Sequence, residues 1–322
     1  MRNGTFSRPL GRRLELLAWL LKLSEKNSIE TCTEAEIAAD QKPMPRNLLT
    51  DWIFGARAAG VVISDSPRAS DCPAIRLYVP DRRDAGCPGL LYFHGGGWVS
   101  GDPGLTDWWC SAFAAHTGTL VVSVDYRLAP RHRYPAALED GYAALCWLHL
   151  HAVQLGIDVG QISVAGDSAG ANLTAALCLY ARDLGGPPIS GQTLICPALD
   201  LTLSSPSMSE KAHAPLLTAR AVSAYARHYL GDPALARNPL ASPLLAENLS
   251  ALPPALIQVA EHDPLRDDGW RYAARLRAAG VEVRVTEYAG APHGLTTFSG
   301  LTRLSRHALE EACAASAIIF KQ

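Results

Sequence analysis

A short apolar run, Ile162-Ser163-Val164-Ala165, passes directly into Gly166-Asp167-Ser168-Ala169-Gly170, and the stretch from Ala169 to Tyr180 is rich in Ala and Leu with no Pro. A strand that reverses into a helix over one serine is strained, and only small residues on both sides relieve the crowding. Gly166 and Gly170 meet that demand. The pattern calls for a sheet whose strands feed helices, and it sets Ser168 at a helix N-terminus, where unpaired N–H groups gather. Gly-x-Ser-x-Gly alone arises by chance in many chains; the strand before it and the helix after it give it meaning here.

A second glycine-rich turn lies upstream, where Leu90-Leu91-Tyr92-Phe93 runs into His94-Gly95-Gly96-Gly97-Trp98. Phosphate loops and dinucleotide sites also use glycines after a strand. This run lacks a following Gly-Lys-Ser/Thr and the Gly-x-Gly-x-x-Gly spacing those sites need. Bare glycines instead leave main-chain N–H groups open toward a substrate carbonyl oxygen, which is the chemistry of an oxyanion hole in acyl transfer.

A serine nucleophile needs a base. In the chain order of such folds the acid and then the histidine follow the serine, which leaves His213, His228, His262, His293 and His307. His293 is the best candidate, because Gly290-Ala291-Pro292-His293-Gly294 is a turn-forming cluster just after the alternating run Val281-Glu282-Val283-Arg284-Val285. The C-terminal edge of a parallel sheet is where α/β folds collect chemistry.

For the acid, Asp263 follows Ala255-Leu256-Ile257-Gln258-Val259-Ala260 and precedes Pro264. That is also the look of a plain helix cap, with the carboxylate accepting only from backbone N–H groups. Asp200, after the strand Gln192 to Cys196, is a rival. Asp263 is preferred for its place immediately before the strand and loop that deliver His293.

Five segments in order, His94 to Trp98, Asp125-Tyr126-Arg127-Leu128-Ala129-Pro130, Gly166 to Gly170, Asp263-Pro264-Leu265-Arg266-Asp267 and Pro292-His293-Gly294, resemble the hormone-sensitive-lipase family of α/β-hydrolases in its bacterial carboxylesterase branch. The resemblance implies a triad of Ser168, Asp263 and His293. It places the oxyanion hole at Gly95, Gly96, Gly97 and Ala169, with Gly95 also supporting the loop, and makes His94 a structural histidine. The chain departs from the family pattern at Ala171, where a further Gly is common, at Arg131, where Glu often stands, and at Leu295, where Phe often follows His-Gly. Arg131 and Leu295 are expected to bear on the pocket rim.

The rest of the composition describes a soluble globular protein. The chain has 322 residues and a net charge of −2 from 29 basic and 31 acidic side chains, which offers no electrostatic footprint for nucleic acid or an anionic membrane. Eight scattered cysteines, with no Cys-x-x-Cys, give a zinc site little support and fit a reduced, cytoplasmic setting. No metal or cofactor is expected. Leu14 to Leu23 is apolar, but Glu15 and Lys22 interrupt it, so it reads as an amphipathic helix rather than a signal peptide.

Strand-like runs near Val61, Ile75, Leu90, Leu120, Ile162, Thr193, Ala255 and Val281 alternate from Leu90 onward with helical stretches. The expectation is a mostly parallel eight-stranded sheet flanked by helices, which the resemblance implies is the α/β-hydrolase fold. In the helix beginning near Pro135, Leu138, Tyr142, Leu145 and Leu148 form one buried stripe. Residues 1–55, with a capping box at Thr33 to Glu36, and 200–240, with a helix from Thr218 to Leu230, fall outside the alternation. Residues 56–199 and 241–322 then form the catalytic domain. The resemblance implies that the two outlying segments make a helical cap, with Trp19, Trp52, Leu216 and Leu217 as candidates for its lining.

The expected activity is hydrolysis of short- to medium-chain acyl esters through an acyl-enzyme. A small-molecule ester is the expected partner, with a homodimer as an open assembly. A binding protein on the same scaffold would be expected to have lost a triad member. An amidase, thioesterase or acyltransferase would share every residue named.

Overall fold

The computed structural model describes residues 9–23 and 28–319. The strand segments that begin at Leu90, Leu120, Ile162 and Ala255 are buried on both faces, as strands between two helical layers must be, whereas the last strand, from Val283, starts with exposed and half-buried residues. The strands are β1 (Val61–Ser66), β2 (Ala74–Pro80), β3 (Cys87–Phe93), β4 (Leu120–Asp125), β5 (Ile157–Asp167), β6 (Gln192–Ile195), β7 (Ala255–His262) and β8 (Val283–Pro292). They form one eight-stranded sheet in the order β1-β2-β4-β3-β5-β6-β7-β8. β1 pairs antiparallel with β2, and β2 with β4; every other pairing is parallel. The expected mostly parallel sheet is therefore the sheet observed.

The helices are α1 (Arg12–Leu23), α2 (Glu34–Asp40), α3 (Leu48–Phe54), α4 (Asp107–Thr117), α5 (Ala136–Leu155), α6 (Ala169–Asp183), α7 (Ser207–Glu210), α8 (Ala219–Leu230), α9 (Arg266–Ala278) and α10 (Leu304–Ile319). Strand parity sorts them onto two faces. Leu91 and Phe93 of β3 join Val122, Val164 and Ile257 in a core covered by α5, α6 and α9, through Leu145, Leu177 and Tyr272 among others. Leu90 and Tyr92 point the other way, into a core closed by Trp109 and Phe113 of α4 and Leu309 and Ala312 of α10. One residue of slip on β3 would exchange the two sets.

The predicted stripe on α5 holds at Leu138, Leu145 and Leu148, which are buried; Tyr142 is half-buried and packs edge-on against Tyr180. β8 extends well past Val285, to Pro292, so the strand delivers its C-terminal end closer to His293 than the alternating pattern alone foretells.

Candidate active site

Four parallel strands end at one edge of the sheet, and the residue after each is one singled out from sequence. β3 ends before His94, β5 before Ser168, β7 before Asp263 and β8 before His293. The register aligns these ends: Phe93 lies beside Gly166, and His262 beside Pro292. Residues far apart along the chain meet because their strands share an edge.

Ser168 sits at φ 56°, ψ −116°, a left-handed conformation that a non-glycine residue adopts only when its surroundings force it. The force comes from close packing. A Cβ on Gly166 would stand 2.4 Å from the Gly170 carbonyl oxygen, and one on Gly170 would stand 2.0 Å from that of Phe93. The Ser168 N–H donates to Ile195 O at 2.8 Å, which fixes the turn against β6.

The Ser168 hydroxyl donates to His293 Nε2 at 2.8 Å, and His293 Nδ1–H donates to Asp263 Oδ2 at 2.8 Å. Asp263 is buried, and its other oxygen, Oδ1, accepts from the Leu265 N–H at 2.8 Å. The carboxylate therefore accepts from both the His293 ring and a backbone N–H, on different oxygens, so it is not the plain helix cap that accepts from backbone alone. α9 itself begins later, at Arg266. Burial pulls the imidazole of His293 toward its neutral form, but the negative charges of Asp263 and Asp167 outweigh it, and the net shift is upward from 6.5.

Asp200 plays no part here. Its carboxylate accepts from Thr202 and Ser204 and pairs with Arg271 at 3.1 Å.

The glycine run supplies fewer donors than expected. Gly95 is not one of them, because its N–H donates to Asp167 Oδ1 at 3.0 Å. Gly96 and Gly97, at φ 118° and 63°, keep N–H groups that meet no acceptor among the described residues. Ala169 opens α6, where the first N–H groups have no partner within the helix.

His94 is buried and stacked on Tyr126, with ring centroids 4.2 Å apart, and its Nδ1 lies 2.7 Å from Gly95 O. Burial lowers it to about 4, so it is neutral at physiological pH and braces the loop. Sequence reasoning missed Asp167. It is buried, pushed up to about 6 by that burial, and accepts from Tyr92 Oη and Gly95 N, tying the serine turn to the glycine run. A carboxylate wedged between Gly and Ser in an apolar setting was the signal available.

A cavity of about 200 Å³ opens over Ser168 and His293, with Leu216, Leu217, Val222, Tyr225 and Phe298 in its wall. Leu216 and Leu217 lie where the sequence suggests. Trp19 and Trp52 do not: both are more than half exposed, at 56% and 55%, and Trp52 borders a different surface cavity with Trp108 and Arg306. Neither Arg131 nor Leu295 lines the cavity over Ser168; Arg131 is exposed and Leu295 is packed in the core beneath.

Among the described residues, the metal-ligating types with donor atoms all within 4.8 Å are Cys196, Asp263 and His293. Burial holds the Cys196 thiol well above its ordinary value, hence protonated, while the carboxylate and imidazole are engaged with each other. These are poor terms for a cation.

A strained serine backed by histidine and buried aspartate, at the strand-end edge of such a sheet, is the arrangement that defines α/β-hydrolases. A model of the alpha/beta hydrolase fold matches residues 90–297, and the chain belongs to that family.

Within the family it stands with bacterial esterases of the hormone-sensitive-lipase type. It is 46% identical over 241 residues to Esterase LipI of Mycobacterium tuberculosis, covering 74% of this chain and 75% of that protein. Against Carboxylesterase NlhH of the same organism the identity is 42% over 233 residues, covering 71% and 73%. A hyperthermophilic esterase from the archaeon Pyrobaculum calidifontis superposes with a TM-score of 0.83 at 36% identity, over 96% of this chain and 98% of that one.

Proposed function

We propose that this chain is a serine carboxylesterase acting on short- to medium-chain acyl esters. The observation that carries the reading is His293, whose two ring nitrogens each lie 2.8 Å from a partner, Ser168 Oγ on one side and Asp263 Oδ2 on the other. Relatives named esterases at 42–46% identity support it.

The chemistry follows from the geometry. His293 Nε2 takes the Ser168 proton as Oγ bonds to the ester carbonyl carbon. The negative charge passes to the carbonyl oxygen, which the N–H groups of Gly96, Gly97 and Ala169 receive. Asp263 holds the tautomer and stabilises the imidazolium. The tetrahedral adduct collapses, the alcohol leaves with the proton from His293, and acyl-Ser168 remains. Water then repeats the sequence, with His293 as its base, and the acid departs.

The size of the cavity, about 200 Å³, favours small esters. Residues 1–55 and 200–240 are read as a two-part cap; supporting this, Thr218 Oγ1 donates to Glu30 at 3.1 Å and Arg220 pairs with Glu30 at 3.0 Å. Eight unpaired cysteines favour a reducing, cytoplasmic setting, and no helix among the described residues is long and apolar enough to cross a membrane. Association into a homodimer is an expectation that sedimentation reads directly.

Initial rates on nitrophenyl esters from acetyl to palmitoyl, wild type beside Ser168→Ala, test the activity. The expected profile peaks at the short end and vanishes in the variant. Hydrolysis by Ser168→Ala above the buffer rate contradicts the mechanism, and a long-chain maximum contradicts the substrate class.

A further inference from the structure

The cavity over Ser168 has the ring of Tyr225 in its wall. Among the described residues Tyr225 alone borders both that cavity and a second one of about 470 Å³. The second has a buried or half-buried floor of Ile29, Cys32, Ile37 and Val99 and an exposed, charged rim of Glu36, Asp40 and Lys42.

The ring is held from two directions. A Cβ on Gly97 would lie 2.1 Å from Tyr225 Cδ1, so the ring rests directly on the backbone of a candidate oxyanion donor. Val222, three residues back on α8, lines the first cavity as well, so a single face of the helix presents both side chains. Burial raises the phenol, and Cys32, which walls the second cavity, adds to the shift.

We propose that Tyr225 is the residue that limits ester size: its ring is a partition, and the apolar floor of the space beyond it takes additional aliphatic chain beneath the charged rim. The inference rests on the serine-esterase reading and deepens it. With the ring in place, a chain entering over Ser168 stops within the first cavity. With the ring removed, the two cavities join, and methylenes that were left in water are buried against Ile29, Cys32 and Ile37.

Each buried methylene contributes about fourfold in kcat/KM. Four added methylenes therefore shift the preference for a long over a short ester by about 10²-fold.

The test compares Tyr225→Ala with wild type in two series, nitrophenyl acyl esters and acetate esters of n-alkanols. The reading is the ratio of kcat/KM for the long member to that for the short member within each variant, so any general damage to the glycine run cancels. The ratio rises by about 10² in one series, and the series in which it rises tells whether the second cavity takes the acid or the alcohol part. Tyr225→Phe, which keeps the ring, leaves the ratio unchanged. Ala39→Phe in the Tyr225→Ala background refills the second cavity, whose wall includes Ala39, and returns the ratio toward wild type.

Ratios unmoved in both series for folded Tyr225→Ala overturn the proposal. So does a Tyr225→Phe shift as large as that of Tyr225→Ala, or a gain that survives the Ala39→Phe refill. Failure of the underlying activity looks different: wild type then hydrolyses no member of either series.

Discussion

The substitution Gly170→Ala probes whether the spacing between the serine turn and the glycine run is what makes the site. A Cβ at 170 would stand 2.0 Å from the Phe93 carbonyl oxygen and 2.6 Å from that of His94. Ordinary contact begins at 3.4 Å, so the start of α6 and the end of β3 must part by 3.4 − 2.0 = 1.4 Å. Both obstacles are backbone, which cannot swing aside as a side chain can.

The displacement falls between Ser168 and Ala169 on one side and Gly96 and Gly97 on the other, which is the gap proposed for the tetrahedral adduct. A misplacement of about 1 Å at reacting groups costs about 10²-fold, and loss of one oxyanion donor costs about 10²–10³-fold in kcat. Overpacking costs about 1–3 kcal/mol of stability as well.

We expect kcat on nitrophenyl acetate to fall by about 10²–10³ with a smaller change in KM, together with a melting temperature lower by several degrees. Gly160→Ala is the control, since a Cβ there meets only the Asp158 side chain at 3.4 Å, and its activity should equal that of wild type. A Gly170→Ala enzyme that melts lower yet keeps full kcat would refute the reasoning. Gly170 would then serve packing alone.

Two further outcomes concern carboxylates. His293 accepts the serine proton only when neutral, and its upward shift places the acid limb of kcat/KM above pH 6.5; Asp167→Asn removes one of the charges behind that shift, so the limb moves to lower pH, and an unmoved limb in pH–rate profiles argues against the coupling. Asp268 is raised to about 7, first by burial and further by Asp200, so between pH ~3.9 and about 7 the folded state holds more proton than the unfolded chain and stability falls as pH rises. Asp268→Asn removes that slope, and melting temperatures at pH 5 to 8 should show wild type losing ground to the variant; a difference independent of pH counts against it.

Much of this site is legible in the chain because strand ends and the candidate catalytic residues coincide. Apolar runs mark where β3, β5 and β7 lie and an alternating run marks β8, and the first residue beyond the end of each observed strand is His94, Ser168, Asp263 or His293, with the two glycine turns marking where backbone approaches backbone. What stays hidden depends on contacts that no period encodes. The loss of Gly95 as a donor depends on the orientation of Asp167 across 72 positions of sequence. Trp19 and Trp52 carry apolar bulk, but which side of a short helix faces the sheet is decided by partners: α3 docks through its backbone, with Ser299 Oγ donating to Phe54 O at 2.7 Å, and leaves Trp52 outward. Tyr225 is one aromatic among many in sequence, and only the packing on Gly97 gives it a position of consequence.

The central claim is that Ser168 becomes acylated because His293 removes its proton. Rapid quenching of the enzyme in acid during hydrolysis of a nitrophenyl ester, followed by peptide mass mapping, reads that event directly. The account predicts one acyl mass added to the peptide holding Ser168, and none there in His293→Ala on the same timescale. An acyl mass on another side chain, or an undiminished one at Ser168 when His293 is gone, would contradict it.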